Sequence, residues 1–159
     1  VRLLAEAPVG PRLAALLAAV RLGGLSGSDC VEVMQAQFRQ ANHERARLFA
    51  AIAEVVLRDE ADGSGGTGEP TEFAHDEVRA ALVLTRRGAD AVCGLAYDLV
   101  RRLPAVHAGM LAGRLDEPRA RIFSQWTADL SDDRAHAVCA VLLPPAPGWT
   151  TGQLIEEIK

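Results

Sequence analysis

Apolar side chains recur along this chain at spacings of three and four, the period of a helix with one buried face, and period-two alternation is nearly absent. The clearest stretch is 71–103, TEFAHDEVRAALVLTRRGADAVCGLAYDLVRRL. Phe73, Ala74, Val78, Ala81 and Leu82 share one face of a first helix, with Thr71 as its cap and Glu72, Asp76 and Glu77 near the positive end of its dipole. A tight corner is predicted at Val83–Thr85. Thr85 then caps a second helix whose apolar stripe is Ala89, Val92, Cys93, Ala96, Leu99, Val100 and Leu103, and Pro104 ends it or opens the next. Small residues at Ala80, Ala81, Ala89 and Ala96 let two helices approach closely at the corner. Two readings stay open: a helix-turn-helix, whose second helix can lie in a major groove, and a helical hairpin inside a larger bundle.

Before this stretch, Pro11–Arg21 reads as a short helix that Gly23 and Gly24 end. Ser26, Ser28 or Asp29 caps the longest helix of the chain, running uninterrupted by Pro or Gly from Cys30 to Ala61 over about 45 Å. Val31, Met34, Phe38, Ala41, Leu48, Ile52 and Val55 form a heptad-like seam along it, with Arg45 in the missing place. The polar run Asn42, His43, Glu44, Arg45 and Arg47 at its middle reads either as a partner-binding or DNA-facing spot or, more often for such clusters, as a solvated face with Glu44 paired across the helix. Residues 61–70 (ADGSGGTGEP) hold four Gly and no large apolar side chain, and read as a flexible loop. After Leu103 the pattern predicts helices over Pro104–Ala112, from the cap Asp116 through Trp126, from Ser131 to about Leu143, and from Thr150 or Thr151 onward. The fold class is therefore all-α. It is a multi-helix bundle with one long N-terminal helix and a helix-turn-helix-like corner near residue 85. Segment 1–60 holds the short and long helices, 61–70 the loop, and 71–159 a helical bundle sharing its core with the long helix.

Composition narrows the picture. Apolar residues make up 49% of the 159 positions but aromatics only 4%, so Ala, Leu and Val must fill the interior, which suits closely packed helices. The formal net charge of −4 argues against a surface that coats nucleic acid broadly. Charge is uneven, however: residues 77–121 hold eight Arg against five acidic residues, and the flanking segments are acidic. Cys30, Cys93 and Cys139 include no C-x-x-C pair and read as free thiols of a reducing cytoplasm. No signal peptide is present, and the apolar run Leu13–Val20 is too short to span a bilayer, so no membrane contact is expected. The chain begins without Met and stops at Lys159 inside an amphipathic pattern, both read as signs of a longer natural protein.

Catalytic patterns are missing. His43, His75, His107 and His136 lie far apart, without H-E-x-x-H or metal-ligand spacing, and His75 reads as an exposed neighbour of the helix start. There is no G-x-S-x-G, P-loop or dinucleotide fingerprint. The reading is a chain that is not an enzyme and needs no metal or cofactor. On the second helix of the corner, the face left over from packing carries Arg86, Arg87, Asp90, Ala91, Gly94, Asp98, Arg101 and Arg102. Arg86 and Arg87 stand where recognition helices touch bases, whereas Asp90 and Asp98 would repel phosphates.

Short motifs in order carry a resemblance over roughly residues 28–159: Glu77–Leu84 before Thr85, Leu103-Pro104, Ala112-Gly113-Arg114, Leu130-Ser131, Leu142-Leu143-Pro144 with Ala146, and Thr151-Gly152-Gln153-Leu154. In these the chain resembles the actinobacterial domain of unknown function 222 family, typically found N-terminal to an HNH endonuclease domain. The ββα-metal signature of that nuclease is absent from this sequence. The resemblance implies an accessory role, positioning a nuclease on DNA. The expected DNA contacts are Arg86, Arg87, Arg101 and Arg102, with Arg114, Arg119 and Arg121 as a second set. The alternative is an interaction module without DNA contact, a homodimer through Val31, Met34, Phe38, Leu48, Ile52 and Val55 of the long helix.

Overall fold

The computed structural model describes residue 4, residues 6–58 and residues 74–159. The expected cap Thr71, the face position Phe73 and the Gly-rich segment 61–70 lie outside the described residues. Eight α-helices and no strand occur among the described residues: α1 (Pro11–Ala18), α2 (Gly27–Leu57), α3 (Ala74–Ala81), α4 (Arg86–Tyr97), α5 (Pro104–Leu111), α6 (Glu117–Trp126), α7 (Asp132–Leu142) and α8 (Thr151–Ile158). The protein is all-α, as the periodicity predicts.

Helix starts are written in local chemistry. The hydroxyls of Ser26 and Thr85 and the carboxylate of Asp116 each accept from the amide three residues on, satisfying a donor that the helix leaves open. Thr150 does the same within a capping box closed by Gln153. Pro11, Pro104 and Pro118 sit in first turns, where the missing N–H costs nothing. Ser131 stands at the start of α7 without a side-chain capping bond. The last turn of α4 widens into a π-turn over Asp98–Arg102, closed by Leu103 N–H donating to Asp98 O at 2.7 Å.

α2 is the axis. It packs against α1, α3, α4 and α5, while α6 packs on α8, and α7 bridges α5 and α8. The main core joins Ala46, Phe49, Ile52, Ala53 and Val56 of α2 to residues of α3–α8, including Leu99, Met110, Phe123 and Leu154. A smaller cluster of Leu13, Leu17, Val33 and Ala36 fastens α1 to the first half of α2. The buried face of α2 is therefore Val33, Ala36, Gln40, Asn42, Ala46, Phe49, Ile52, Ala53 and Val56, which takes in Ile52 of the expected seam but leaves Val31, Met34, Phe38 and Val55 exposed. The reason is size. Alanines at 36, 46 and 53 admit neighbouring backbones, and the bulkier Met34 and Phe38 are left on the side that no described helix covers.

Two turns of the same geometry show opposite constraints. After α5, Gly113 N–H donates to Met110 O and Arg114 N–H to Gly109 O, the paired bonds of a Schellman turn. Gly113 has φ 72°, and a Cβ there would lie 2.8 Å from the backbone oxygen of Arg39 on α2, so the turn docks directly on the long helix. After α3, Val83 N–H donates to Ala80 O and Leu84 N–H to Arg79 O, and the left-handed position is occupied by Val83 at φ 52°. A β-branched residue is strained there, and this one is 90% exposed, so no packing compensates.

Urea unfolding of two variants tests these turns. Gly113→Ala is expected to lose more than about 2 kcal/mol, combining left-handed strain with a clash against backbone that cannot step aside. Val83→Gly is expected to gain about 0.5–1 kcal/mol, the strain released less the added freedom of the unfolded chain.

Candidate interaction surfaces

The basic residues expected to contact DNA divide into two groups. Arg102 is only 16% exposed: its Nε and Nη2 hold both oxygens of Asp98 at 3.0 and 3.1 Å, and it donates to the carbonyls of Ser124 and Thr127 at the end of α6. The hydrogen bonds that Arg102 donates to Asp98 raise its pKa and outweigh the opposing effect of burial. Arg119 pairs with Asp116 and donates from Nε to Trp149 O at 2.9 Å, tying the Pro144–Trp149 turn to α6. Arg121 and Arg45 share the carboxylate of Glu117 at 2.7 and 2.6 Å, joining α6 to α2. Arg102, Arg119 and Arg121 are thus engaged within the fold, and Arg102, expected on the open face of the second helix, is turned inward instead. Their acidic partners stand three or four residues away on the same helix, the spacing that could have found them.

Arg86, Arg87, Arg101 and Arg114 are exposed and make no ion pair among the described residues. The first three share one face of α4 and its π-turn, spread over about 22 Å. Of the two acidic residues expected to oppose phosphates on that face, Asp98 is drawn into the fold, whereas the side chain of Asp90 stays 53% exposed. Asp98 is held by Arg102 and accepts from Ser124 Oγ, and Asp90 bonds His75 Nδ1 of α3 at 2.9 Å. Ala91 and Gly94 keep the surface between the arginines low. Arg114 stands apart, on the rim of a pocket with Leu143, Pro144 and Pro147.

The polar run at the middle of α2 is also corrected. Asn42 is buried, with Nδ2 unpartnered, and only the Glu44–Arg47 pair at 3.3 Å lies on the surface as expected. His43 Nδ1 meets Leu111 O at 2.6 Å and His107 Nε2 meets Ala46 O at 2.9 Å, so two histidines join α2 to α5. His136 Nε2 reaches Arg102 O at 2.8 Å. His75, expected to be an exposed neighbour of a helix start, bonds across the corner to Asp90 instead. Each histidine links two segments of the bundle.

The heptad seam is divided by depth. Val31, Met34 and Phe38 are 48%, 61% and 55% exposed. Ile52 is interior and Leu48 half-buried, while Val55 lies at the edge of an apolar groove that α2 forms with Val78 and Ala81 of α3 and with Leu82 in the turn after it. Leu22, which the seam did not include, lines a cavity of about 290 Å³ together with Met34. Among the described residues no cluster of three or more His, Cys, Asp or Glu could hold a metal, and no helix is long and apolar enough to cross a membrane. Burial pushes the Cys139 thiol up to about 11, against the opposing charge of Arg102, and burial with the Asp90 charge raises that of Cys93.

These features define an all-α domain built on one long helix, with a close two-helix corner and no assembled catalytic centre among the described residues. It belongs to the family described as Domain of unknown function (DUF222), which matches residues 35–159. Searches of curated proteins and of solved structures gave no match.

Two solution measurements follow. Burial would raise the pKa of Glu117, but the bonds from Arg45 and Arg121 outweigh it and hold the carboxyl below its ordinary value. A depressed folded-state pKa contributes stability above the unfolded value of about 4.3 that is lost as pH falls through the folded one. Melting temperature should therefore fall more steeply below about pH 4.5 in the parent chain than in Glu117→Gln. Thiol titration of the native protein at pH 8 should find Cys30 reactive and Cys93 and Cys139 silent until denaturant is added.

Proposed function

We propose that this chain is a non-catalytic accessory domain that positions a nuclease on duplex DNA, with α3 and α4 acting as a helix-turn-helix and α4 facing the DNA. The observation that carries the reading is the separation of the arginines. Arg102, Arg119 and Arg121 are held by acidic partners within the fold, and Arg86, Arg87 and Arg101 remain exposed on one face with no ion pair among the described residues. Arg86 and Arg87 extend from the N-terminal turn of α4, whose amides and dipole also favour a phosphate. The low surface at Ala91 and Gly94 lets a phosphate backbone come close to the helix. Arg101 adds a contact at the far end, and Arg114 is a contact outside the corner.

Metal and general base then belong to another domain, of the HNH type that the family resemblance implies. The domain's part is register and orientation, which phosphate contacts supply without reading sequence. Few contacts mean modest affinity. The negative net charge of the chain keeps binding confined to this face.

Titration of fluorescent duplex DNA over a salt series tests the reading. With three or four phosphate contacts, log K should fall against log salt with a slope of about −3. Arg86→Glu/Arg87→Glu should abolish binding, and Arg101→Ala should reduce the slope by about 1. Arg102→Ala should instead lower thermal stability, since Asp98 loses its buried partner. Absence of binding at low salt, or binding indifferent to the Arg86/Arg87 pair, would overturn the proposal.

A further inference from the structure

We infer that the first half of α2 is the interface of a twofold dimer in which a second copy of the chain packs antiparallel on the same strip. The strip consists of Val31, Met34, Gln35, Gln37, Phe38 and Ala41, all exposed. From residue 30 to residue 43 no exposed side chain of α2 is charged. Glu32 is half-buried, and Arg39 is turned inward, donating to the carbonyls of Leu4 and Ala7 at 3.0 Å. In a chain with 24% charged residues, a two-turn apolar surface bordered by neutral glutamines is unusual.

The charge pattern selects the occupant. A second copy offers an equally uncharged strip, so pairing buries no unmatched ion and sets no like charges opposite one another. A basic or acidic partner would find no counter-charge here. The twofold also fits by size. Placing the axis beside Ala36 sets Met34 against Phe38 of the second copy, a sulfur–aromatic contact, and Val31 against Ala41, a large residue against a small one.

Direction follows from what already covers the seam. Beyond Ala41 the same face of α2 runs into Leu48, Ile52 and Val55, where α3 lies with Val78 and Ala81, followed by Leu82 in the turn after it. A parallel partner would bring both α3 helices and both bundle bodies to the same end. An antiparallel partner puts them at opposite ends and opposes the helix dipoles favourably. The strip is smaller than the ~800 Å² per partner of a standard interface, so a dimer dissociating in the micromolar range is expected.

Sedimentation equilibrium and directed cross-linking test this without reference to DNA. The parent chain should pass from monomer to dimer over the micromolar range. Met34→Glu and Phe38→Glu should each raise the dissociation constant at least about 100-fold, because each change counts twice in a twofold pair. Their melting temperatures at a dilution where the parent is monomeric should match it, since neither side chain belongs to the core. In a Cys30→Ser background, Val31→Cys mixed with Ala41→Cys should form the crossed disulfide on mild oxidation, and Val31→Cys alone should not. A parent that stays monomeric at 200 µM, a dimer unaffected by both charge substitutions, or ready linkage of Val31→Cys to itself would each overturn the inference.

Discussion

Burial of Ala46, Phe49, Ala53 and Val56 along one stripe of α2 is the contact from which the rest of the bundle follows. Two of the four are alanines, and α4 answers with Ala89, Cys93 and Ala96. Such small side chains bring the two backbones close, so van der Waals contact is made largely by Cβ atoms and main chain. This is how a chain with few aromatics reaches interior density. The large buried side chains, Phe49, Phe123, Met110 and Leu99, fill the space where α5 and α6 lean over the α2–α4 pair.

Close helices bring their ends into the interior, and the C-terminal carbonyls of short helices need donors. The basic side chains meet that need. Arg102 serves the end of α6, His43 the end of α5, His136 the end of the α4 π-turn, and Arg39 the carbonyls of Leu4 and Ala7 ahead of α1. Three of the eight arginines between residues 77 and 121, Arg102, Arg119 and Arg121, therefore have a structural explanation. What remains on the outside is a small set, and the function proposed here rests on that remainder rather than on the total.

Much of the architecture was legible in the sequence because helix starts are local. Ser26, Thr85, Asp116 and Thr150 cap through bonds that span three residues, and Pro104 marks its boundary through its own ring. The side of α2 that faces inward was not legible. Hydropathy gives Met34 and Phe38 more weight than Ala36 and Ala46, whereas Ala36 packs beside α1 and Ala46 in the main core while Met34 and Phe38 stay exposed. The arginines divided in the same way. Asp98–Arg102 and Glu117–Arg121 were readable as pairs, but the carbonyls that Arg102 and Arg119 reach lie 22–30 residues away, and no local pattern marks them. The four histidines looked scattered because each one's partner lies on another segment.

The bonds that fix α2 have a temporal meaning as well. His107 to Ala46, His43 to Leu111 and Arg45 to Glu117 connect positions 61, 68 and 72 residues apart. At about 5–20 residues per second, a ribosome needs several seconds to deliver the second member of each pair. In the first part of that interval the long helix has emerged without the helices that will cover its interior stripe, and α3 and α4 reach it before α5 and α6 do. Both of its apolar faces are then open to water, the one destined for the core and the one carrying Met34 and Phe38. Nascent chains on one messenger are thus most adhesive while their folds are least complete, and it is α5 and α6, once synthesised, that end the exposure of the inner face.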